Sequence, residues 1–298
     1  RIVKIGFGQP SVFNTDVIIQ ELLRQGKTIE DSRNGGASGC VETGAFGKEC
    51  YILTGYFNMP KVLEITLNNG FDPRIGQKIG LETGNPANFS SFEELFDAFK
   101  TQLEYFIDIK IKGNNIIERL YAEYLPAPFL SILIADCIQK GKDYNDGGAR
   151  YNTNYIQGVG LGTITDSLTA IKFQVFDKHL ITFKELLKAL KADFKEYEKL
   201  RQRLWNKTPK YGNDDEYADQ IMKAIFDVYY SAIDGRPNTK GGSYRINLLP
   251  TTVHIYFGKV LGATADGRKS CEPVSEGVSP VQGADRRGPT AVIKSVSK

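Results

Sequence analysis

The stretch NGGASGCVETGAFGKE, Asn34 to Glu49, sets five glycines around one cysteine and places a carboxylate, Glu42, two residues after it. A run this rich in glycine lacks the side chains that commit a backbone to helix or strand, so it reads as a loop. Cys40 therefore stands on a loop, and three uses of such a thiol can be compared. A thiolate nucleophile needs a base, and the chain offers only His179 and His254. The Glu42 carboxylate opposes the thiolate by raising the thiol pKa. A metal ligand needs companions, and Cys50, Cys137 and Cys271 form no C-x-x-C pair with it or with each other. Hydrogen-atom chemistry uses the neutral S–H. In a C-x-E loop the sulfur can then exchange a hydrogen atom while the carboxylate moves a proton on a neighbouring hydroxyl. An incidental cysteine in a glycine-rich surface loop remains open at this point.

Outward from the loop, the pattern alternates. Arg1 to Gly6 reads as a strand, and Thr15/Asp16 cap a helix carrying Ile18, Ile19, Leu22 and Leu23 up to Gly26. After the loop a second helix opens at Pro60 and closes at Gly70, with Tyr56 near its start. Ser91 and Glu94 spell a capping box ahead of a long helix with Leu95, Phe96, Phe99, Leu103 and Phe106 on one face. The segment PAPFLSILIADCIQKGK reads as one helix with Cys137 as a small buried hydrophobe. A short strand is expected around Tyr155 to Leu161, then a helix capped by Thr165/Asp166. The alternating Gly158, Gly160 and Gly162 do not fit a dinucleotide fingerprint and suit tight backbone packing better. Two amphipathic helices follow, joined by a turn, with Asp214, Asp215 and Glu216 opening the second at its dipole. A strand from Tyr244 then breaks at Pro250, ahead of Thr251 and Thr252. Strands alternating with helices predict an α/β fold with a mainly parallel sheet.

Composition excludes several classes. With 298 residues and 41% hydrophobic content the chain can bury a large core, as one big α/β domain or two ordinary ones. The net charge of +3 arises from 38 basic and 35 acidic residues spread along the chain, so no nucleic-acid partner is expected. The longest apolar run, 129–135, is far short of a membrane span, and a cytoplasmic protein is expected. No metal site is expected either. The chain begins at Arg1, which leaves a partial sequence open.

The segment SGCVETGAFGKE, residues 38–49, resembles the active-site cysteine loop of the glycyl radical enzymes, the pyruvate formate-lyase-like superfamily, in its "GCVE" branch of glycerol, propanediol, choline and hydroxyproline lyases. GATADGRKSCEPVSEGVSPVQGADRRGPTAVIKSVSK, residues 262–298, resembles that superfamily's later segment, and NDGGARYN, residues 145–152, its middle. Thr43, Gly44, Ala45 and Phe46 after the C-x-E are similar to the trans-4-hydroxyproline dehydratases, as are the segments 149–168 and 207–219. Choline and diol lyases usually carry proline right after the glutamate. The Cys-Cys pair of a pyruvate formate-lyase proper is not matched, because Val41 follows Cys40.

The resemblance implies part of a ten-stranded α/β barrel with Cys40 on a central finger loop. It implies a thiyl radical on Cys40, proton transfer by Glu42 with a burial-raised pKa, and loss of water from trans-4-hydroxy-L-proline to give pyrroline-5-carboxylate. Glycerol, propanediol or choline are the alternative substrates, and a Cys-nucleophile transferase is the alternative class. Tyr56, Thr251 and Thr252 are candidate substrate contacts, with core packing for the tyrosine and a capping or turn role for the threonines as the competing roles. No bound cofactor is implied beyond the glycyl radical, installed by a radical-SAM activating enzyme; a homodimer is implied as well. No R-V-x-G-[YFW] motif occurs in the sequence. Residues 1–298 are therefore expected to be a partial barrel domain, without its N-terminal part or the glycyl radical domain, and inactive alone.

Overall fold

The computed structural model describes residues 13–39 and 41–298, so the expected strand Arg1–Gly6 and Cys40 itself lie outside the described residues. Helix α1 (Thr15–Arg24) is capped by Asn14, whose side chain accepts from the Asp16 N–H at 2.9 Å, rather than by Thr15 or Asp16. A short helix α2 (Ile29–Arg33) leads into β1 (Gly35–Ser38) and β2 (Glu42–Ala45), an antiparallel hairpin with Ser38 opposite Glu42. The glycine-rich loop is thus mostly strand. Its glycines are needed for closeness: a Cβ on Gly44 would fall 2.5 Å from the Tyr51 ring.

Next come β3 (Glu49–Asn58) and, directly after it, α3 (Met59–Thr66), capped by Asn58 and carrying Pro60 in its first turn. Strands β4 (Phe71–Asp72) and β5 (Gln77–Lys78) make a small ribbon before the long α4 (Phe92–Tyr124). The Ser91 hydroxyl accepts from the Glu94 N–H at 3.2 Å, but the Glu94 carboxylate reaches back to the Ser90 N–H at 2.7 Å, one residue earlier than a capping box requires. Instead of one helix, α5 (Pro128–Ser131) and α6 (Cys137–Lys140) follow, separated at Asp136, whose φ is +76°. Arg150 grips the Asp136 carboxylate at 3.1 and 2.9 Å, which holds that left-handed residue in place. Cys137 is buried, as expected.

Strand β6 (Tyr151–Val159) starts earlier than its sequence suggested, and α7 (Leu161–Ala170) begins straight after Gly160 at φ +89°. Thr165 and Asp166 lie inside α7 and are fully buried, not at its cap. Gly162 permits the contact that fixes α7: a Cβ there would meet the Ser279 carbonyl at 2.6 Å. Wider turns continue α7 over Ile171–Asp177. The expected pair of amphipathic helices is three: α8 (Phe183–Lys191), α9 (Glu198–Asn206) and α10 (Glu216–Ile233). Asp193, Phe194 and Glu196 take φ of +50°, +59° and +67° between the first two, where Phe194 is buried. Asp215 caps α10, as the acidic run predicted. Strand β7 (Ser243–Asn247), α11 (Val253–Lys259) and α12 (Pro289–Val296) complete the described elements.

Strands β3, β6 and β7 form a parallel sheet in that order, with β6 central and buried along nearly its whole length. The chain divides into two compact units, the first being Arg1–Thr54, Asn114–Tyr155 and Gly235–Arg245, the second the remaining segments. In the first, Asp31 on α2 accepts from Lys48, from the Tyr151 hydroxyl at 2.7 Å and from Arg150 at 3.3 Å. These donors hold its carboxyl well below the usual range. In the second, Val159, Leu261 and Val274 form a core cluster.

Candidate active site

Three residues, Gly39, Cys40 and Val41, connect the paired Ser38 and Glu42. A connection this short needs a left-handed residue, and Gly39 supplies it at φ +61°. Glu42 is 6% exposed and folds back over the turn. Its Oε2 accepts from the Val41 N–H at 3.3 Å and lies 2.9 Å from where a Cβ on Gly39 would stand. A larger residue at position 39 would push that carboxylate away. The Glu42 side chain thus lies against the turn, beside Gly39 and bonded to the Val41 N–H.

The outer edge of β2 is held by side chains. The Tyr155 hydroxyl donates to the Thr43 carbonyl at 2.9 Å, and the Ala45 N–H donates to the Glu49 carboxylate at 2.8 Å. Burial pushes the Tyr155 phenol up to about 12, so it is a donor at neutral pH. Neither residue stands out as functional in the sequence. The available signal was a polar side chain on an otherwise buried strand, which needs a partner.

The other candidates belong to the second unit. Tyr56 lies on β3, not on a helix: the strand runs ten residues to Asn58 before α3 begins. It is 41% exposed. Thr251 and Thr252 stand between β7 and α11. Thr252 occupies the cap position of α11, yet its side chain makes no cap hydrogen bond. The Thr251 carbonyl accepts from the His254 backbone N–H at 3.5 Å, while the Thr251 hydroxyl oxygen is buried with no hydrogen-bond partner among the described residues. The Thr251 carbonyl contact is that of a turn, one of the competing roles, while its hydroxyl is left without a partner among the described residues.

Among the described residues, no group of three or more His, Cys, Asp or Glu is arranged to hold a metal ion. No described helix is long and apolar enough to cross a membrane.

A parallel α/β sheet and a hairpin turn carrying C-x-E define the class, and the comparisons agree: the chain belongs to the pyruvate formate lyase-like family, whose model matches residues 1–258. Its fold is that of the α/β barrel of glycyl radical enzymes. Among curated relatives it is similar to trans-4-hydroxy-L-proline dehydratase of Clostridioides difficile, 61% identical over 298 residues, which is 100% of this chain and 38% of that protein. It is less similar to (2S)-3-sulfopropanediol dehydratase of Klebsiella oxytoca, 35% identical over 99% of this chain and 37% of the relative. A crystal structure of the Clostridioides difficile hydroxyproline dehydratase with trans-4-hydroxy-L-proline bound superposes with a TM-score of 0.96 at 62% identity, covering 99% of this chain and 37% of that one. The glycerol-bound dehydratase of Clostridium butyricum gives 0.94 at 42% identity, covering 99% and 37%. The chain thus spans under two fifths of the length of these relatives.

Proposed function

We propose that this chain is the cysteine-bearing part of a glycyl radical dehydratase that removes water from trans-4-hydroxy-L-proline, a carbon-oxygen lyase yielding pyrroline-5-carboxylate. The observation that carries the reading is the 61% identity to such a dehydratase across the whole chain, against 35% for a dehydratase of a different substrate. The 298 residues are then a partial barrel domain. The glycyl radical, installed by a radical-SAM activating enzyme on a glycine outside this sequence, supplies the unpaired electron that makes Cys40 a hydrogen-atom acceptor. The working protein is a homodimer in this reading.

The roles follow from chemistry and placement. Cys40 takes the hydrogen atom from C5, beside the ring nitrogen, breaking C–H and forming S–H. Glu42 gives a proton to the C4 hydroxyl, which leaves as water; the ring N–H proton passes to the Glu42 carboxylate so formed, leaving C5=N, and Cys40 S–H returns its hydrogen atom to C4. Atoms balance as substrate minus water. The buried Glu42, held against the turn that carries Cys40, fits a group that passes a proton while the neighbouring thiol stays neutral. Thr251 offers an unpartnered hydroxyl for a substrate carboxylate or amine, and Tyr56 and Thr252 present exposed surface for the ring.

The test uses the full-length protein, activated anaerobically and incubated in parallel with trans-4-hydroxyproline, glycerol, propanediol and choline. Pyrroline-5-carboxylate from the first alone, lost in Cys40→Ser and Glu42→Gln, is the expected result. Turnover of glycerol or propanediol alone would reassign the substrate. Rapid alkylation of Cys40 by iodoacetamide at neutral pH would instead indicate a nucleophilic thiolate.

A further inference from the structure

Among the described residues, strand β2 pairs on one side only, with β1 as its single sheet neighbour. Its other edge would leave backbone groups bare, and side chains meet them instead. In an extended strand, residues two apart send their N–H and C=O groups to the same edge. The Thr43 carbonyl and the Ala45 N–H are such a pair, bound by Tyr155 on β6 and by Glu49 at the start of β3. Tyr155 also meets the Thr43 hydroxyl at 3.1 Å.

Both anchors are braced from behind. Glu49, its side chain fully buried, also accepts from the Thr153 hydroxyl at 2.6 Å and pairs with the buried Lys27 at 3.1 Å. Lys27 donates to the Gln25 side-chain oxygen Oε1 at 2.6 Å. The Gln25 amide nitrogen lies 3.4 Å from both the Thr43 hydroxyl and the Tyr155 hydroxyl, which closes the network around β2. A buried ion pair adds little net stability compared with apolar packing, but a fully bonded one fixes geometry. This one ends on the strand whose first residue is Glu42.

We propose that Tyr155 and Glu49 are positioning residues that clamp the open edge of β2 and so hold Glu42 and the Cys40 turn in place for hydrogen and proton transfer. The inference rests on the catalytic roles given to Cys40 and Glu42 above. Neither anchor needs to touch substrate. Small displacements of reacting groups lower the rate steeply, so loss of one anchor acts on the chemical step more than on binding.

The experiment compares the activated full-length protein with Tyr155→Phe, which keeps the ring and removes only the hydroxyl. The expected result has four parts: kcat falls about tenfold, KM stays within about twofold, the glycyl radical signal and Tm are unchanged, and amide hydrogen exchange of residues 35–45 quickens. The double variant Lys27→Met/Glu49→Gln removes both buried charges but leaves an oxygen for the Ala45 N–H, and it retains more of kcat than Tyr155→Phe. An unchanged kcat and exchange rate in Tyr155→Phe would overturn the proposal. So would a loss of kcat matched by an equal loss of radical signal or a drop in Tm, since that marks ordinary core damage. If the wild-type protein ignores trans-4-hydroxyproline, the substrate reading fails while hydrogen exchange of the hairpin still decides the clamp.

Discussion

Asp166 is the residue at which burial and charge conflict most openly. It sits fully buried inside α7, accepts the Tyr211 N–H at 2.9 Å, and has Lys210 3.8 Å away. Burial outweighs that partner, and the nearby Asp266 adds to it, so the carboxyl is pushed up to about 7. An unfolded aspartate ionises near pH 4. Between those values the folded chain keeps a proton that the unfolded chain has released, so the Asp166 contribution to stability falls as the pH rises through this window. Above about 7 the loss is complete. Asp166→Asn keeps an oxygen for Tyr211 and has nothing to ionise. Urea unfolding of both proteins at pH 5 and pH 8 should show the variant gaining on the wild type by on the order of 3 kcal/mol at the higher pH, at ~1.36 kcal/mol per pKa unit. A difference independent of pH would mean that Lys210 keeps the carboxylate ionised. Sequence reading placed this residue at a helix cap, where it would have been solvated; only the observed start of α7 at Leu161 makes it a buried acid.

At the scale of elements, glycines divide into those that pack and those that merely interrupt. Gly162→Ala should cost about 1–3 kcal/mol because the methyl meets the backbone of Ser279 and Val281, which cannot step aside as a side chain could. Gly113, inside α4 with open space around it, should gain about 0.5–1 kcal/mol on change to Ala. Thermal or urea unfolding of the pair checks both signs. The same division explains what the sequence made legible. Helices with a stripe of apolar residues and a capping side chain, such as α3 and α4, stand where their patterns put them. The hairpin did not show, because Gly35, Gly36 and Gly44 have no strand propensity and are there to let Leu22, Phe46 and Tyr51 come close. Tyr56 was misplaced onto a helix because β3 continues up to the cap of α3 with no turn residue between them. The break between α8 and α9 needs left-handed Asp193, Phe194 and Glu196, which amphipathic spacing cannot reveal. The C-x-E motif was readable, but the anchors on β2 were not: Tyr155 is far from it in the sequence, and Glu49, though close, acts through a backbone N–H that no side-chain pattern marks.

At the scale of the molecule, the chain holds the proposed reacting residues without all of their surroundings. It covers 38% of the hydroxyproline dehydratase it is similar to. Glu42 is buried here, whereas Tyr56 is 41% exposed and Thr252 is exposed as well. Groups that are to hold a substrate next to a radical need water kept out, both to strengthen their polar contacts and to prevent quenching. The open positions of Tyr56 and Thr252 do not provide that in this chain. The isolated 298-residue chain, mixed with the activating enzyme and trans-4-hydroxyproline, should therefore form no pyrroline-5-carboxylate, while the full-length protein under the same conditions does. Turnover by the isolated chain would show that the hairpin and its immediate neighbours suffice for the chemistry. It would also mean that Cys40 can be made a hydrogen-atom acceptor without a glycine supplied from outside these residues.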